Sequence, residues 1–141
     1  MRNSEKPRRL CRSRECKSEF CSDGFKGQNA DARKILLVAH MMNKRVLERD
    51  LLGVLGHYHA FVHSDSGKAI MNILSHECLG LTLENVYFTN IFKGFVGDRN
   101  PTREEYRACL KQFEKQVREF NPKSIIAMGE KAYELMFPRE G

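Results

Sequence analysis

The chain has 141 residues, a mass of 16.3 kDa and a formal net charge of +6. This length supports a single domain with an apolar core and excludes a two-domain enzyme. No apolar run approaches the ~18–20 residues of a membrane span, and the N-terminus lacks the apolar stretch of a signal peptide. We therefore expect a soluble cytoplasmic protein that makes no contact with a membrane.

Most of the positive charge lies at one end of the chain. Residues 1–34 contain ten Lys and Arg but five Asp and Glu, so five of the six net positive charges are found there. A clustered basic surface suits a polyanion such as nucleic acid, and a solvated basic tail is the alternative.

The first 33 residues form a polar, basic segment that is nearly free of aliphatic side chains. Alone it cannot bury enough apolar surface to become ordered, so we treat residues 1–33 as an N-terminal segment and residues 34–141 as the domain. Three of the chain's five cysteines lie in this segment at a spacing of five, Cys11, Cys16 and Cys21. An odd number of cysteines argues against a disulfide framework, which leaves metal ligation or free thiols.

The first predicted strand is the apolar run ILLVA at residues 35–39. A short run without polar residues is typical of a strand buried on both faces, and hence of a parallel sheet covered by helices. Asn43 is placed to cap a helix that ends before Gly56. Ser66 is placed to cap a second helix that carries apolar residues to Cys78.

A second strand is predicted at residues 85–90 (NVYFTN), because β-branched and aromatic residues dominate there. Thr102, with Glu105 three residues later, forms a capping box for a helix whose apolar residues recur every three or four positions. A third strand follows at residues 124–128 (SIIAM), and a short helix at residues 130–137.

Strands that alternate with helices predict an α/β fold, in three αβα layers with a short parallel sheet. Such sheets bind ligands at the carboxyl ends of their strands. The residues expected there offer an amide, aromatic rings, cations and a histidine, namely Asn90, Phe61, Phe92, Lys93, Arg99, Lys131 and His40. This combination suits a nucleobase flipped out of a nucleic acid. The alternative is an ordinary structural role: a turn or helix cap for Asn90, a core aromatic ring for Phe61, and a hydrogen-bonded surface or core histidine for His40.

Five sequence blocks, in this order, resemble the uracil-DNA glycosylase superfamily. They are GQNADARKILLVA (residues 27–39), FVHSDSGKAIMNIL (61–74), ENVYFTNIFKG (84–94), DRNPTREEYRAC (98–109) and PKSIIAMGEKA (122–132). The likeness is greatest to the iron-sulfur branch of thermophilic type. It implies an intracellular base-excision repair enzyme that hydrolyses the N-glycosidic bond of uracil in DNA, with no cofactor in bond breaking.

The resemblance also implies roles for single residues. Asn90 matches the asparagine whose amide binds the uracil edge, and it counts as both a catalytic and a base-binding residue. Phe61 matches the aromatic side chain that stacks on the flipped base. Lys93, Arg99 and Lys131 are expected to contact DNA phosphates.

The stretch after the first strand departs from the superfamily pattern. Where that pattern has Gly-Glu-x-Pro-Gly, this chain has Ala-His-Met-Met-Asn at residues 39–43, so the catalytic carboxylate is missing. A neutral His40 could act as the base on water, because its ordinary pKa near ~6.5 suits that task. Glu48 and Asp50 are the alternatives.

The cysteines match the iron-sulfur branch in part. Cys109 corresponds to the last ligand of its 4Fe-4S cluster, Gly94 stands at the third ligand position, and the N-terminal Cys-x-x-Cys pair is replaced by Cys11, Cys16 and Cys21. With Cys109 these thiols suffice in number for a rewired structural cluster or a zinc site. The alternative is a buried Cys109 and free N-terminal thiols.

The superfamily pattern continues past the position of residue 141, through a further core strand to a His-Pro-Ser motif. We therefore expect a sheet without its last core strand, whose exposed edge a second chain could complete. Two functions follow: an active uracil-DNA glycosylase, or a catalytically inactive DNA- and uracil-binding relic or truncated fragment of such an enzyme. A degraded gene product without activity is the third interpretation.

Overall fold

The computed structural model of the protein describes residues 23–41, 61–62, 64–76, 78–94 and 100–137. The helix predicted after Asn43 lies outside these ranges, as do Glu48, Asp50, Arg99 and the three N-terminal cysteines. None of the described helices is both long enough and apolar enough to cross a membrane.

A four-stranded sheet forms the centre of the molecule. Its strands are β1 (Phe25–Lys26), β2 (Ile35–Ala39), β3 (Val86–Asn90) and β4 (Ser124–Ala127), in the spatial order β1-β3-β2-β4. Strand β2 is parallel to both β3 and β4, whereas β1 is antiparallel to β3. The register pairs Ala39 with Asn90, so the carboxyl ends of β2 and β3 lie side by side.

In the described ranges, four α-helices accompany the sheet. They are α1 (Ala30–Arg33), α2 (Asp65–Leu74), α3 (Arg103–Phe120) and α4 (Glu130–Met136), and a short 3-10 helix at Leu83–Asn85 precedes β3. Helix α3 begins with the predicted capping box, in which the Thr102 hydroxyl accepts from Glu105 N and the Glu105 carboxylate accepts from Thr102 N.

The core lies on both faces of β2, because its successive side chains point in opposite directions. Leu37 packs with Ile70 and Leu74 of α2. Leu36 and Val38 pack in a second cluster with side chains of α3 and α4, Phe113, Phe120 and Ala132. The prediction of an α/β fold with a parallel sheet between helices is therefore confirmed.

The cap of α2 differs from the sequence prediction. Ser64, not Ser66, is the N-cap, and its hydroxyl accepts a hydrogen bond of 2.9 Å from Gly67 N. Both serines suit a helix start, so the choice between them depends on the close approach of Phe61. A Cβ at Gly67 would lie 1.9 Å from the Phe61 carbonyl oxygen, which is why glycine stands at this position.

The described end of the N-terminal segment joins the sheet. Phe25 pairs with Phe88 in β1, Gly27 N donates to the Val86 carbonyl, and Ala30 is fully buried. No strand was predicted here, because a two-residue strand is too short to show any periodicity. Residues 25–33 thus pack against the domain that was predicted to begin at residue 34.

Candidate functional site

A cavity opens where the carboxyl ends of β2, β3 and β4 face the start of α2. Its volume is about 700 Å³. The described residues that border it and matter for the argument are His40, Phe61, Ser64, Asn90, Met128 and Lys131. The cavity lies where a parallel sheet is expected to bind its ligand. It brings together Asn90, Phe61, His40 and Lys131 of the predicted site.

Asn90 ends β3 and is 1% exposed. Among the described residues its side-chain nitrogen Nδ2 has no hydrogen-bond partner. A buried amide N–H without an acceptor is costly, so such groups in folded proteins are rare. Because Asn90 borders the cavity, an acceptor atom on a ligand would satisfy this nitrogen.

Phe61 borders the cavity from the side of α2. Its ring is 7% exposed and packs against the Phe88 ring with a centroid separation of 4.2 Å and against the Phe25 ring at 5.7 Å. These contacts hold the ring in place, as a stacking platform requires. They also make Phe61 part of the core, which was one of its two predicted interpretations, while stacking on a base stays a prediction.

His40 directly follows β2 and is half-buried. Its Nε2 lies 2.5 Å from the hydroxyl oxygen of Tyr106, in the first turns of α3. Burial, and then the positive charge of Lys131, lower the pKa of His40 below its ordinary value. The imidazole is therefore neutral at physiological pH.

Lys131 and Lys93 occupy opposite environments. Lys131, in the first turn of α4, is exposed at the cavity and can meet a phosphate. Lys93 is 1% exposed, and its amine donates to the Thr89 hydroxyl at 2.6 Å, to the Asn90 carbonyl at 2.6 Å and to the Gln116 side-chain oxygen. An amine held by three internal acceptors does not reach a phosphate on the surface, so this geometry does not fit the contact predicted for Lys93.

No carboxylate in the described part of the chain contacts the buried amine of Lys93 directly. Burial lowers its pKa to about 8, while the more distant Asp23 and Cys109 act in the opposite direction. The ring of Phe113 lies 5.2 Å from the amine and adds a cation–π contact. Lys93 thus fixes the end of β3 from inside the molecule.

Gln116 is a site residue that the sequence analysis missed. Its oxygen accepts from Lys93 and Thr89, and its nitrogen donates to the Asp23 carbonyl at 3.0 Å and to the Tyr87 hydroxyl at 3.1 Å. It is 5% exposed. Its spacing of three from Phe113 places it on the buried face of α3. A polar residue at a position where an apolar one is expected was the sequence signal that could have identified Gln116.

Cys109 is the only predicted metal ligand among the described residues. It is 3% exposed, and its sulfur accepts a hydrogen bond of 3.3 Å from Lys93 N. Gly94, at the position of the third ligand in the resembled branch, provides no ligand atom. No group of three or more His, Cys, Asp or Glu in the described part of the chain could hold a metal ion. These residues alone do not make a cluster site, and no chemical step depends on one.

The fold and the cavity define an α/β protein whose parallel strands end at a largely apolar cavity, which has Asn90, His40 and Lys131 at its border and is large enough for a nucleobase. A family model for the uracil DNA glycosylase superfamily matches residues 48–140, well over half of the chain. The chain therefore belongs to this superfamily. The match includes Phe61, Asn90 and Lys131, whereas His40 precedes it. No curated protein matches the chain.

Proposed function

We propose that the protein is a uracil-DNA glycosylase of base-excision repair, which hydrolyses the N-glycosidic bond of a uracil flipped into the cavity. The observation that carries the proposal is the unpaired, buried Nδ2 of Asn90 at the cavity wall. This N–H can donate to uracil O4 while the amide oxygen accepts from N3–H. Membership of the superfamily supports DNA as the substrate.

The cavity residues supply binding and orientation. Phe61 offers a ring already fixed by Phe88 and Phe25, so stacking on a base would cost little side-chain entropy. Stacking and amide hydrogen bonds together offset the few kcal/mol that flipping costs. Lys131 supplies positive charge beside the cavity for a DNA phosphate.

Hydrolysis requires no covalent bond to the protein. The bond from C1′ to the base nitrogen breaks with its electron pair going to uracil, and water gives its hydroxyl to C1′ while its other proton ends on the uracil. Negative charge develops on the leaving base and positive charge on the sugar, so fixed dipoles at the cavity wall lower the barrier.

An excision assay on labelled single-stranded DNA with one uracil tests this proposal. Alkali converts each abasic site into a strand break, so the wild type is expected to give one cleaved product. Asn90→Ala is expected to abolish cleavage, whereas the control Asn72→Ala, at an exposed position on α2, is expected to retain it. Equal cleavage by both variants would contradict the role of Asn90.

A catalytically inactive protein that binds DNA and uracil is the second candidate. The observation that favours it is the lack of a carboxylate at residues 39–41, where the resembled pattern has its catalytic acid. Fluorescence anisotropy with oligonucleotides that contain uracil or thymine separates the two functions. Tighter binding to uracil without abasic product from a folded protein identifies the inactive binder.

The metal site is a separate proposal. We propose that Cys11, Cys16, Cys21 and Cys109 hold a structural iron-sulfur cluster. Iron and zinc content per chain, measured after anaerobic purification, tests it. Cys109→Ser is expected to lose the metal, while Cys78→Ser, at an exposed free cysteine, is expected to retain it. Zinc without iron would replace the cluster by a zinc site, and absence of both metals would overturn the proposal.

We propose that a second chain pairs with strand β4. This strand lies at the edge of the described sheet, and Ile125 and Ile126 are each 36% exposed although they point to opposite faces. An edge strand with apolar side chains favours pairing with another strand. Sedimentation equilibrium is expected to show a dimer that Ile126→Lys dissociates, and a monomeric wild type would contradict this expectation.

A further inference from the structure

The pair formed by His40 and Tyr106 carries an inference that rests on the proposed function and deepens it. His40 borders the cavity, whereas Tyr106 stands behind it on α3. The two rings meet at a centroid separation of 5.9 Å, with 2.5 Å between Nε2 and the phenol oxygen. The hydrogen bond therefore occupies Nε2 and leaves Nδ1 as the ring nitrogen without a hydrogen-bond partner among the described residues.

Both groups of this pair are neutral. Burial lowers the pKa of His40 and raises the pKa of Tyr106, so neither an imidazolium nor a phenolate forms near neutral pH. One hydrogen therefore lies between the two atoms, and it comes either from the phenol or from Nε2. This choice decides which nitrogen of His40 carries its proton.

The chemistry of the two groups decides the choice. A phenol is a stronger hydrogen-bond donor than a neutral imidazole N–H, and an unprotonated imidazole nitrogen is a stronger acceptor than a phenol oxygen. Among the described residues, the Tyr106 hydroxyl has no hydrogen-bond partner except His40. The phenol hydrogen thus points at Nε2, and the imidazole proton is on Nδ1.

The backbone of His40 is fixed by Phe92, a residue that also packs against Tyr106. Phe92 N donates to the His40 carbonyl at 2.9 Å, and the fully buried Phe92 ring packs against Tyr106 with its edge, at a centroid separation of 6.0 Å. His40 is therefore held at its main chain and at its ring by two residues that also hold each other. Such a ring keeps one orientation when a ligand enters.

We propose that Tyr106 is a positioning residue that holds His40 as the Nδ1–H tautomer, so that His40 donates a hydrogen bond to the leaving uracil. In this tautomer neither nitrogen can take a proton from water, since Nδ1 carries one and Nε2 accepts from Tyr106. The base role predicted for His40 from the sequence is thereby replaced by stabilisation of the negative charge on the departing base.

NMR of the full-length protein labelled with ¹⁵N-histidine tests the tautomer directly. The chain has five histidines, and His40→Gln identifies the signal of His40. At pH 7.5 we expect its proton on Nδ1. Tyr106→Phe is expected to move the proton to Nε2, which free histidine prefers, while Tyr133→Phe, at an exposed tyrosine of α4, leaves it on Nδ1. A proton on Nε2 in the wild type, or on Nδ1 in Tyr106→Phe, would overturn the inference.

Excision kinetics supply the second readout. Tyr106→Phe is expected to lower kcat by roughly 10–100-fold, as for partners that orient a functional histidine, with KM unchanged. An unchanged kcat would overturn the role of the tautomer in catalysis. If the folded wild type excises no uracil, the proposed function fails, while the NMR experiment still decides whether Tyr106 sets the tautomer of His40.

Discussion

Two buried polar side chains at the end of β3 differ in whether their N–H groups have hydrogen-bond acceptors inside the protein. Lys93 satisfies all three N–H groups of its ammonium with internal acceptors. Asn90, whose carbonyl is one of those acceptors, keeps an unpaired Nδ2 at the cavity. A buried polar group whose hydrogen bonds are all made inside the protein stabilises the fold, whereas a buried N–H without an acceptor is available to bind a ligand. The two residues, which were predicted to contact the base (Asn90) and a DNA phosphate (Lys93), thus differ in their environment.

Lys93→Met tests the internal role of this lysine through the pH dependence of stability. The pKa of Lys93 is about 8 in the folded protein, below its ordinary value, so between pH 8 and about 10.5 the unfolded chain binds more protons. The free energy of unfolding of the wild type, relative to the variant, is therefore expected to rise with pH in this window. Urea unfolding at several pH values measures it, and Lys68→Met, at an exposed lysine, is the control. If the free energy of unfolding of the wild type relative to Lys93→Met stays constant over this pH range, the amine of Lys93 is not buried in the folded protein.

Phe61 is both a core residue and the expected stacking platform, so its test must separate stability from binding. Phe61→Ala would cost about 3–5 kcal/mol in the core, enough to obscure any effect on DNA. Phe61→Leu keeps most of the volume and removes the π-face. It is expected to weaken binding of a uracil oligonucleotide by roughly 1–3 kcal/mol. Phe137→Leu, at an exposed ring, is the control, and equal affinities would exclude stacking on Phe61.

At the level of elements, helices and strands with strong local sequence signals were predicted correctly, whereas those with short or ambiguous signals were not. The apolar run of β2 and the capping box of α3 each come from one stretch of sequence, and the structure confirms both. Strand β1 has two residues and exists only because β3 pairs with it. The cap of α2 depends on the backbone of Phe61, which sequence patterns do not show. Tyr106 lies in the helix predicted from the capping box, but its contact with His40 joins positions 66 residues apart, which a local pattern does not show.

The capping box fixes the start of α3, and Tyr106 lies one residue after it, so the contribution of the box to stability can be tested. Thr102→Ala removes the hydroxyl that accepts from Glu105 N, and this is expected to cost about 1 kcal/mol of unfolding free energy in urea. Thr82→Ala, which removes the cap of a three-residue 3-10 helix, is expected to cost less. An unchanged free energy of unfolding in Thr102→Ala would show that the box does not stabilise α3.

At the scale of the whole molecule, the N-terminal segment is joined to the site by polar contacts. Gln112 donates to the Asp23 carboxylate, and Gln116 donates to the Asp23 carbonyl while it accepts from Lys93. Helix α3 therefore links the first described residue to the end of β3. The basic charge of this segment was evident from the sequence. These contacts were not, because each joins residues about 90 positions apart in the chain.

The basic charge of residues 1–22 gives the prediction that distinguishes a DNA-binding segment from a solvated tail. If four of its five arginines, Arg8, Arg9, Arg12 and Arg14, contact phosphates, replacing these four by alanine lowers the slope of log affinity against log salt by about 0.7 per lost contact on single-stranded DNA. The matched control replaces four cations of α3, Arg107, Lys111, Lys115 and Arg118, which are exposed. Anisotropy titrations over a range of salt concentrations measure both slopes. A smaller slope in the first variant alone assigns the phosphate contacts to the N-terminal segment, because both variants lose the same net charge. Equal reductions would mean that only the total charge of the molecule matters.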